Sequence, residues 1–359
     1  MDVPEIEGTD VDRLCFSFVL FSFSGFVWKS LVQYLEKSME EYSREDESCE
    51  ARPYIPATGY GMKKKAISLV GFKTCDEIAA CIEAYPEARF ELAYNMSEDF
   101  LEKAAPLIAG RVVSLHACSP MEPYFPNFGS NDPVVIQESE TMLMRSARTA
   151  LRFGADIMVL HPGYLTDQRV SSNYAGRAEL MKGPEFQDYI GRKKGYIARR
   201  DILDTEGYRR RFSVMTEHVA RVSERLLGMG ITLAVENLNP RAGYLYMQPE
   251  ELEAFPPQLR FCLDVGHLWV SHFVFGFEFL PAVERMLGSG RIVSLHLHSN
   301  PSDGDILEDS HGDFNAAGFP AAEIIRLTKD LPVNLVLETL QNPVGNMVSL
   351  DELLAFYSN

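Results

Sequence analysis

From Lys65 onward the chain alternates short apolar, β-rich runs with longer amphipathic stretches, and that alternation limits the fold more than any other feature of the sequence. The runs are AISLVGF from Ala66, ARFELAY from Ala88, RVVSLHA from Arg111, ADIMVLHP from Ala155, ITLAVEN from Ile231, LRFCLDVGH from Leu259, RIVSLHLH from Arg291 and VNLVLET from Val333. Between them lie helical patterns such as VIQESETMLMRSARTALRFG and VMTEHVARVSERLLGMG, the second closing with the glycine expected after a helix C-terminus. Strands alternating with helices predict parallel pairing with crossover connections. Eight such units are the number that closes a (β/α)8 TIM barrel. A doubly wound open sheet is the alternative, and the chain carries no GxGxxG turn or internal repeat to support it.

A chain of 359 residues, 46% of them hydrophobic, can bury the core of one large barrel or of two ordinary domains. The barrel is expected over residues 62–359, preceded by an extension at 1–61 of unclear role: an amphipathic helix, an interfacial segment, or an overlong start with Met62 as the true one. Its apolar run LCFSFVLFSFSGFVW is broken by serines and a glycine and falls short of the roughly 20 residues a membrane span needs. The acidic residues before it argue against a secretory signal. Cys15, Cys49, Cys75, Cys81, Cys118 and Cys262 form no CxxC pair, so neither a zinc knuckle nor a disulfide framework is expected, and a reducing, cytoplasmic setting fits.

A formal charge of -17 disfavours a surface that grips nucleic acid throughout, while leaving room for a local basic cleft. The segment 165–212 carries eleven Lys and Arg against seven acids and sits between the fourth strand and its helix, far longer than an ordinary βα loop. It reads as a solvated helical insertion or as a lid that meets an anionic substrate. The turn-rich NFGSNDP, Asn127 to Pro133, reads as a substrate-facing loop or as a surface turn.

Six of the eight runs end in a histidine or carboxylate: His116, His161, Glu236, Asp264 with His267 just beyond it, His296 and Glu338. The later EDSHGD adds Asp309 and His311. Parallel strands deliver such residues to one rim of a barrel. Any one alone reads equally well as a satisfied rim residue. Gathered together without a cation, they would be costly to bury. His218 and His272 read as ordinary helix residues, and His298, on the strand face of His296, as a residue behind the ligands or an exchange partner for its neighbour.

With LHPG, AVEN, CLDVGH, SLHLH and VLET in this order, the chain from Lys65 resembles the xylose-isomerase-like barrels, or AP endonuclease family 2. They include sugar isomerases and epimerases and the endonuclease IV class of abasic-site nucleases. In the isomerase branch the resemblance implies one Mn2+ or Mg2+ held by Glu236, Asp264, His296 and Glu338, with Glu236 and Glu338 as the paired acid and base. In the nuclease branch it implies up to three Zn2+. His116 and His161 would hold the first with a bridging Glu236, Asp264, His296 and Glu338 the second, and His267, Asp309 and His311 the third. All nine positions are matched. A phosphodiester hydrolase is therefore expected, with a sugar or sugar-phosphate isomerase as the alternative and a non-catalytic binding barrel as a third reading. HLHSN stands where the nuclease branch has an HLND-type segment, and ENLNP where it has an ENTAG-like turn. Those departures point away from abasic DNA toward a small phosphodiester, such as the nucleotide-bearing cofactor of a cobamide-remodelling phosphodiesterase.

Overall fold

The computed structural model describes residues 64–358, so the extension at 1–61, with its apolar run, lies outside the described residues. Eight strands form the barrel: β1 (Lys65–Ser68), β2 (Phe90–Leu92), β3 (Val112–His116), β4 (Ile157–Leu160), β5 (Thr232–Glu236), β6 (Arg260–Asp264), β7 (Ile292–Leu297) and β8 (Asn334–Leu337). Every pairing between neighbours is parallel, and β8 closes on β1 through Lys65 opposite Leu335. All eight runs picked out by their apolar content lie in the barrel wall. The expected (β/α)8 barrel is the fold, and the open sheet is not.

The crossovers are α1 (Cys75–Ala84), α2 (Glu98–Ile108), α3 (Pro133–Phe153), then α4 (Tyr174–Leu180) within the 165–212 insertion, α5 (Glu206–Gly228), α6 (Val265–Phe275), α7 (Phe279–Gly288) and α8 (Ala321–Leu327), and α9 (Pro343–Ser358) follows the last strand. Their limits follow local chemistry. Helix α3 starts on Pro133 with Asp132 accepting from Val134 N, and it stops at Gly154, whose φ of 75° suits a residue without a Cβ. None of the helices among the described residues is long and apolar enough to cross a membrane.

Register fixes what lies inside. By the two-residue strand period, Ile157 and Val159 share a face with His161, Ala234 with Glu236, Cys262 with Asp264, and Val336 with Glu338. Ile157, Val159, Ala234 and Cys262 pack together with Val293, and Val336 packs with Ala66 and Val113, as small apolar clusters apart from the main core. An apolar floor therefore underlies polar strand ends. A cavity of about 840 Å³ opens at the opposite end of the barrel, beside Lys65, Arg89 and Arg111. It has no part in the rim, where barrel sites form.

The insertion is stapled down. Leu165 N donates to Gly243 O and Ala198 N to Pro240 O, and isolated bridges join Tyr164 to Tyr244 and Ile197 to Arg241. Asn127 tethers its start: Nδ2 donates to Thr166 O at 2.8 Å while Oδ1 accepts from Tyr164 N at 2.9 Å and Gly129 N at 3.2 Å. NFGSNDP is thus not a surface turn at its start, since residues 125–130 are buried. Its role is that of an internal clamp.

Candidate metal centre

The strand ends converge. Glu236, Asp264, His296 and His298 are fully buried, His116, Glu338 and His267 nearly so. At the centre, Glu236 Oε2 lies 3.0 Å from His116 Nε2 and 3.1 Å from His161 Nε2, while its Oε1 lies 3.0 Å from His296 Nδ1. One carboxylate therefore faces two separate groups of donors. His296 Nδ1 is also 3.0 Å from Glu338 Oε2 and 3.8 Å from Asp264 Oδ2. Farther along the rim, Asp309 Oδ2 is 3.2 Å from His267 Nε2, and its Oδ1 is 3.4 Å from His311 Nε2.

Four sets of ligand atoms close enough to share an ion follow: His116, His161 and Glu236; Glu236, Asp264, His296 and Glu338; His116, His296 and Glu338, which overlaps the first two; and His267, His298, Asp309 and His311. Within each set the atoms lie within 4.8 Å of one another. The structure thus brings together all nine residues singled out by sequence and adds His298. His218 and His272 stand apart on α5 and α6.

The imidazoles are held in a metal-ready orientation. Nδ1–H of His116 donates to Ala117 O, that of His267 to Asn237 O and that of His311 to Glu338 O, at 3.0, 2.9 and 2.9 Å. A carbonyl can only accept, so each of these rings turns Nε2 inward, where an ion would replace its proton. Asp264 is fixed as the N-cap of α6, accepting from His267 N at 2.6 Å. Asn237 ties β5 to β6 by exchanging two 2.9 Å hydrogen bonds with the Asp264 backbone. The two segments that depart from the nuclease pattern also supply supports: Asn239 Nδ2 donates to Asp309 Oδ2 at 2.6 Å, and Asn300 Oδ1 accepts from Ser310 N and His311 N.

The electrostatics of the cluster bear on what it can hold. Burial disfavours charge throughout, yet Asp309 beside His311 lifts that imidazole to about 10, and its neighbouring acids raise His267. Burial likewise opposes ionisation of Glu236 and Glu338, but the adjoining histidines hold both well below the usual carboxylate range. His161, depressed by burial to about 4 against the pull of Glu236, stays a neutral donor. Without an ion, protons on buried imidazoles must balance the buried carboxylates. Divalent cations would replace those protons on a donor set of imidazoles and carboxylates that suits them.

Other residues of the site had escaped the sequence reading. Glu91, in the middle of β2 and fully buried, places Oε1 3.1 Å from His296 Nε2, out of line for a hydrogen bond, and its Oε2 accepts from Ser114 Oγ at 2.7 Å. A carboxylate thus stands within ion-pair reach behind the His296 ring, on the side where ligating histidines commonly have one. The signal available was a lone acid inside the apolar run ARFELAY. Tyr94 packs on His116 with ring centroids 5.2 Å apart, and Phe125 packs on His161 at the same distance. Arg177 of the insertion lies 5.0 Å over Phe125 and donates through Nε to Tyr244 Oη at 3.1 Å. Burial raises the Tyr94 phenol to about 12, so it stays protonated. An aromatic wall with one guanidinium therefore borders the His116 side. Elsewhere in the insertion Arg169, Lys182, Arg199, Arg209 and Arg211 each pair with an acid, four of those acids lying in the insertion itself, so its positive excess largely remains.

A closed parallel barrel with imidazoles and carboxylates crowded at the C-terminal ends of its strands defines a class of barrel proteins with one polar, metal-ready rim. The chain belongs to the xylose isomerase-like TIM barrel family, whose match spans residues 79–331. No curated protein matches the sequence. Among solved structures it is similar to a D-tagatose 3-epimerase-like protein (19% identity, 82% of this chain and 98% of the other, TM-score 0.54). It is also similar to a Thermus thermophilus protein soaked with zinc chloride (18%, 82% and 98%, TM-score 0.51). An endonuclease IV from the same organism matches at 17% identity over 82% of this chain and 99% of the other, with a TM-score of 0.47. At these identities the likeness is one of fold.

Proposed function

We propose that this protein is a multinuclear, zinc-dependent hydrolase of a small phosphodiester. The observation that carries the reading is a set of donors too large for one ion: two groups share Glu236 and overlap further through His116, His296 and Glu338, and His267, His298, Asp309 and His311 form another. A single-ion isomerase needs only Glu236, Asp264, His296 and Glu338. It gives no account of buried His116 facing Glu236, or of the His267–Asp309–His311 group. Imidazole-rich sets favour zinc over magnesium.

When bound, the ions supply Lewis acidity, neutralising a phosphodiester and making water acidic enough to deliver hydroxide near neutral pH. The chain's own residues hold that arrangement rigid. Glu236 joins the first two sets, Glu91 backs the His296 ring, and Asn239 and Asn300 keep Asp309 and His311 on the rim. No protein nucleophile is required. The wall of Tyr94, Phe125 and Tyr244 with Arg177 suits a planar, anionic substrate such as a nucleotide-bearing cofactor, a cobamide among them. The formal charge of -17 disfavours a DNA-length partner.

One feature favours a second reading. Glu236 Oε1 and Glu338 Oε2 both lie 3.0 Å from His296 Nδ1, so two carboxylates flank one position, as proton transfer beside a metal-bound sugar requires. An epimerase with one Mn2+ or Mg2+ would use them as base and acid, and the likeness to an epimerase-like barrel accords with this. Metal content per chain separates the two readings, measured together with hydrolysis of bis(p-nitrophenyl) phosphate for the wild type, His116→Ala and Asp309→Ala. About three zinc ions, reduced in both variants together with hydrolysis, supports the hydrolase. One ion, unaltered in both, overturns it.

A further inference from the structure

We propose that His298 is a fourth protein ligand of the set formed by His267, Asp309 and His311, closing it into a structural zinc site and leaving hydrolysis to the two sets that share Glu236. The inference rests on the multinuclear reading and assigns unequal tasks to its ions.

His298 follows β7 by one residue and keeps to the strand face of His296. It is fully buried, and one of its ring nitrogens falls within 4.8 Å of ligand atoms of His267, Asp309 and His311. Its ring lies parallel to that of His311, with centroids 4.0 Å apart and an interplanar angle of 13°. Nε2 is 3.1 Å from Asp264 Oδ2, and Nδ1, equally buried, has no hydrogen-bond partner. A buried imidazole nitrogen without a partner is costly. A cation shared with the three neighbouring ligands accounts for it. The backbone makes room for this ring at Gly266, where a Cβ would stand 2.1 Å from His298 Cε1.

The consequence lies in coordination number. Three histidines and an aspartate fill a tetrahedral zinc shell, and sites closed in this way are structural, whereas catalytic sites keep a position open. The closed ion would pin the segment after β7, whose residues 303–306 are exposed, to the rim through Asp309 and His311. Catalysis would then depend on the His116–His161–Glu236 and Glu236–Asp264–His296–Glu338 sets.

The competing role for His298 is to position Asp264 alone, and stoichiometry in a double variant separates the two. Zinc is counted in the wild type, in His298→Ala, in Asp309→Ala and in the double variant. Under the proposal the wild type holds three ions, and each single variant holds two. The double variant also holds two, because both substitutions empty the same set. Three ions in the wild type and in His298→Ala, or fewer in the double variant than in Asp309→Ala, overturns the proposal and leaves the multinuclear reading intact. One ion in the wild type overturns both. Should His298→Ala fail to fold, the wild type still decides the matter: zinc is drawn off stepwise with a chelator while proteinase K cleavage at 303–306 is followed. Cleavage that begins only as the last ion leaves supports a closed site, and cleavage that begins with the first ion overturns it.

Discussion

Complete removal of metal should lower the melting temperature by far more than a single ion can explain. An ion held at a hundredfold excess over its dissociation constant stabilises the folded state by about 2.7 kcal/mol. Three donor sets, each wholly or largely buried, would together contribute about 8 kcal/mol. Unfolding entropy is about 2.1 cal/mol/K per residue, so the described barrel of about 295 residues unfolds with about 0.6 kcal/mol/K. Stripping one ion therefore costs about 4 °C, and stripping all three about 13 °C. Calorimetry on chelated and zinc-reconstituted protein reads this directly, with elemental analysis on the same samples. Asp309→Ala should show a difference smaller by about one ion's share. A shift of about 4 °C that is the same in wild type and Asp309→Ala would refute the reasoning, because only one set would then be filled.

Further outcomes follow from the same geometry. His116→Ala should reduce phosphodiester hydrolysis by at least about a hundredfold with the fold retained, checked by turnover of bis(p-nitrophenyl) phosphate alongside circular dichroism. In the metal-free protein His311 is raised to about 10 from an ordinary value near 6.5. Its contribution to stability is complete below about pH 6.5 and disappears as pH rises through about 10, so metal-free protein should lose stability over that range, as denaturant midpoints would show. Zinc must displace the protons of both His311 and His267, and its apparent affinity at that set should weaken by more than about tenfold for each unit the pH falls, measured by competition with a chelator. Tyr208→Phe removes a buried donor to Glu251 Oε1 at 2.6 Å and the acceptor of Tyr246 N at 3.0 Å, and urea denaturation should register a loss of about 1–3 kcal/mol.

Much of the fold was legible because buried parallel strands announce themselves as apolar runs, and LHPG, AVEN, CLDVGH, SLHLH and VLET end those runs in chemistry-bearing side chains. The convergence of His116, His161, Glu236, Asp264, His296 and Glu338 required only that the strands be parallel. Glu91 was not legible. An acid in FEL reads as the polar member of an alternating strand until β7 places His296 opposite it. The membership of His298 depends on ring packing against His311, which spacing does not determine. Nor does composition reveal how the insertion's charges are paired: Arg169 meets Glu138 of α3, while Arg211 reaches back to Asp167 within the insertion itself. Asn127 looked like turn chemistry because its hydrogen bonds run to Tyr164 and Thr166, far along the chain.

That clamp bears on how such an enzyme could change its substrate. The insertion is joined to the loop after β5 through Leu165–Gly243, Ala198–Pro240 and the Tyr164–Tyr244 bridge, and Asn127 secures it from a third loop. A segment swapped in from another barrel would arrive without the backbone partners that hold it. New specificity in this scaffold therefore has to be transplanted as three loops at once, and a chimera that exchanges residues 165–212 alone should express as a folded barrel with its mouth left in disarray.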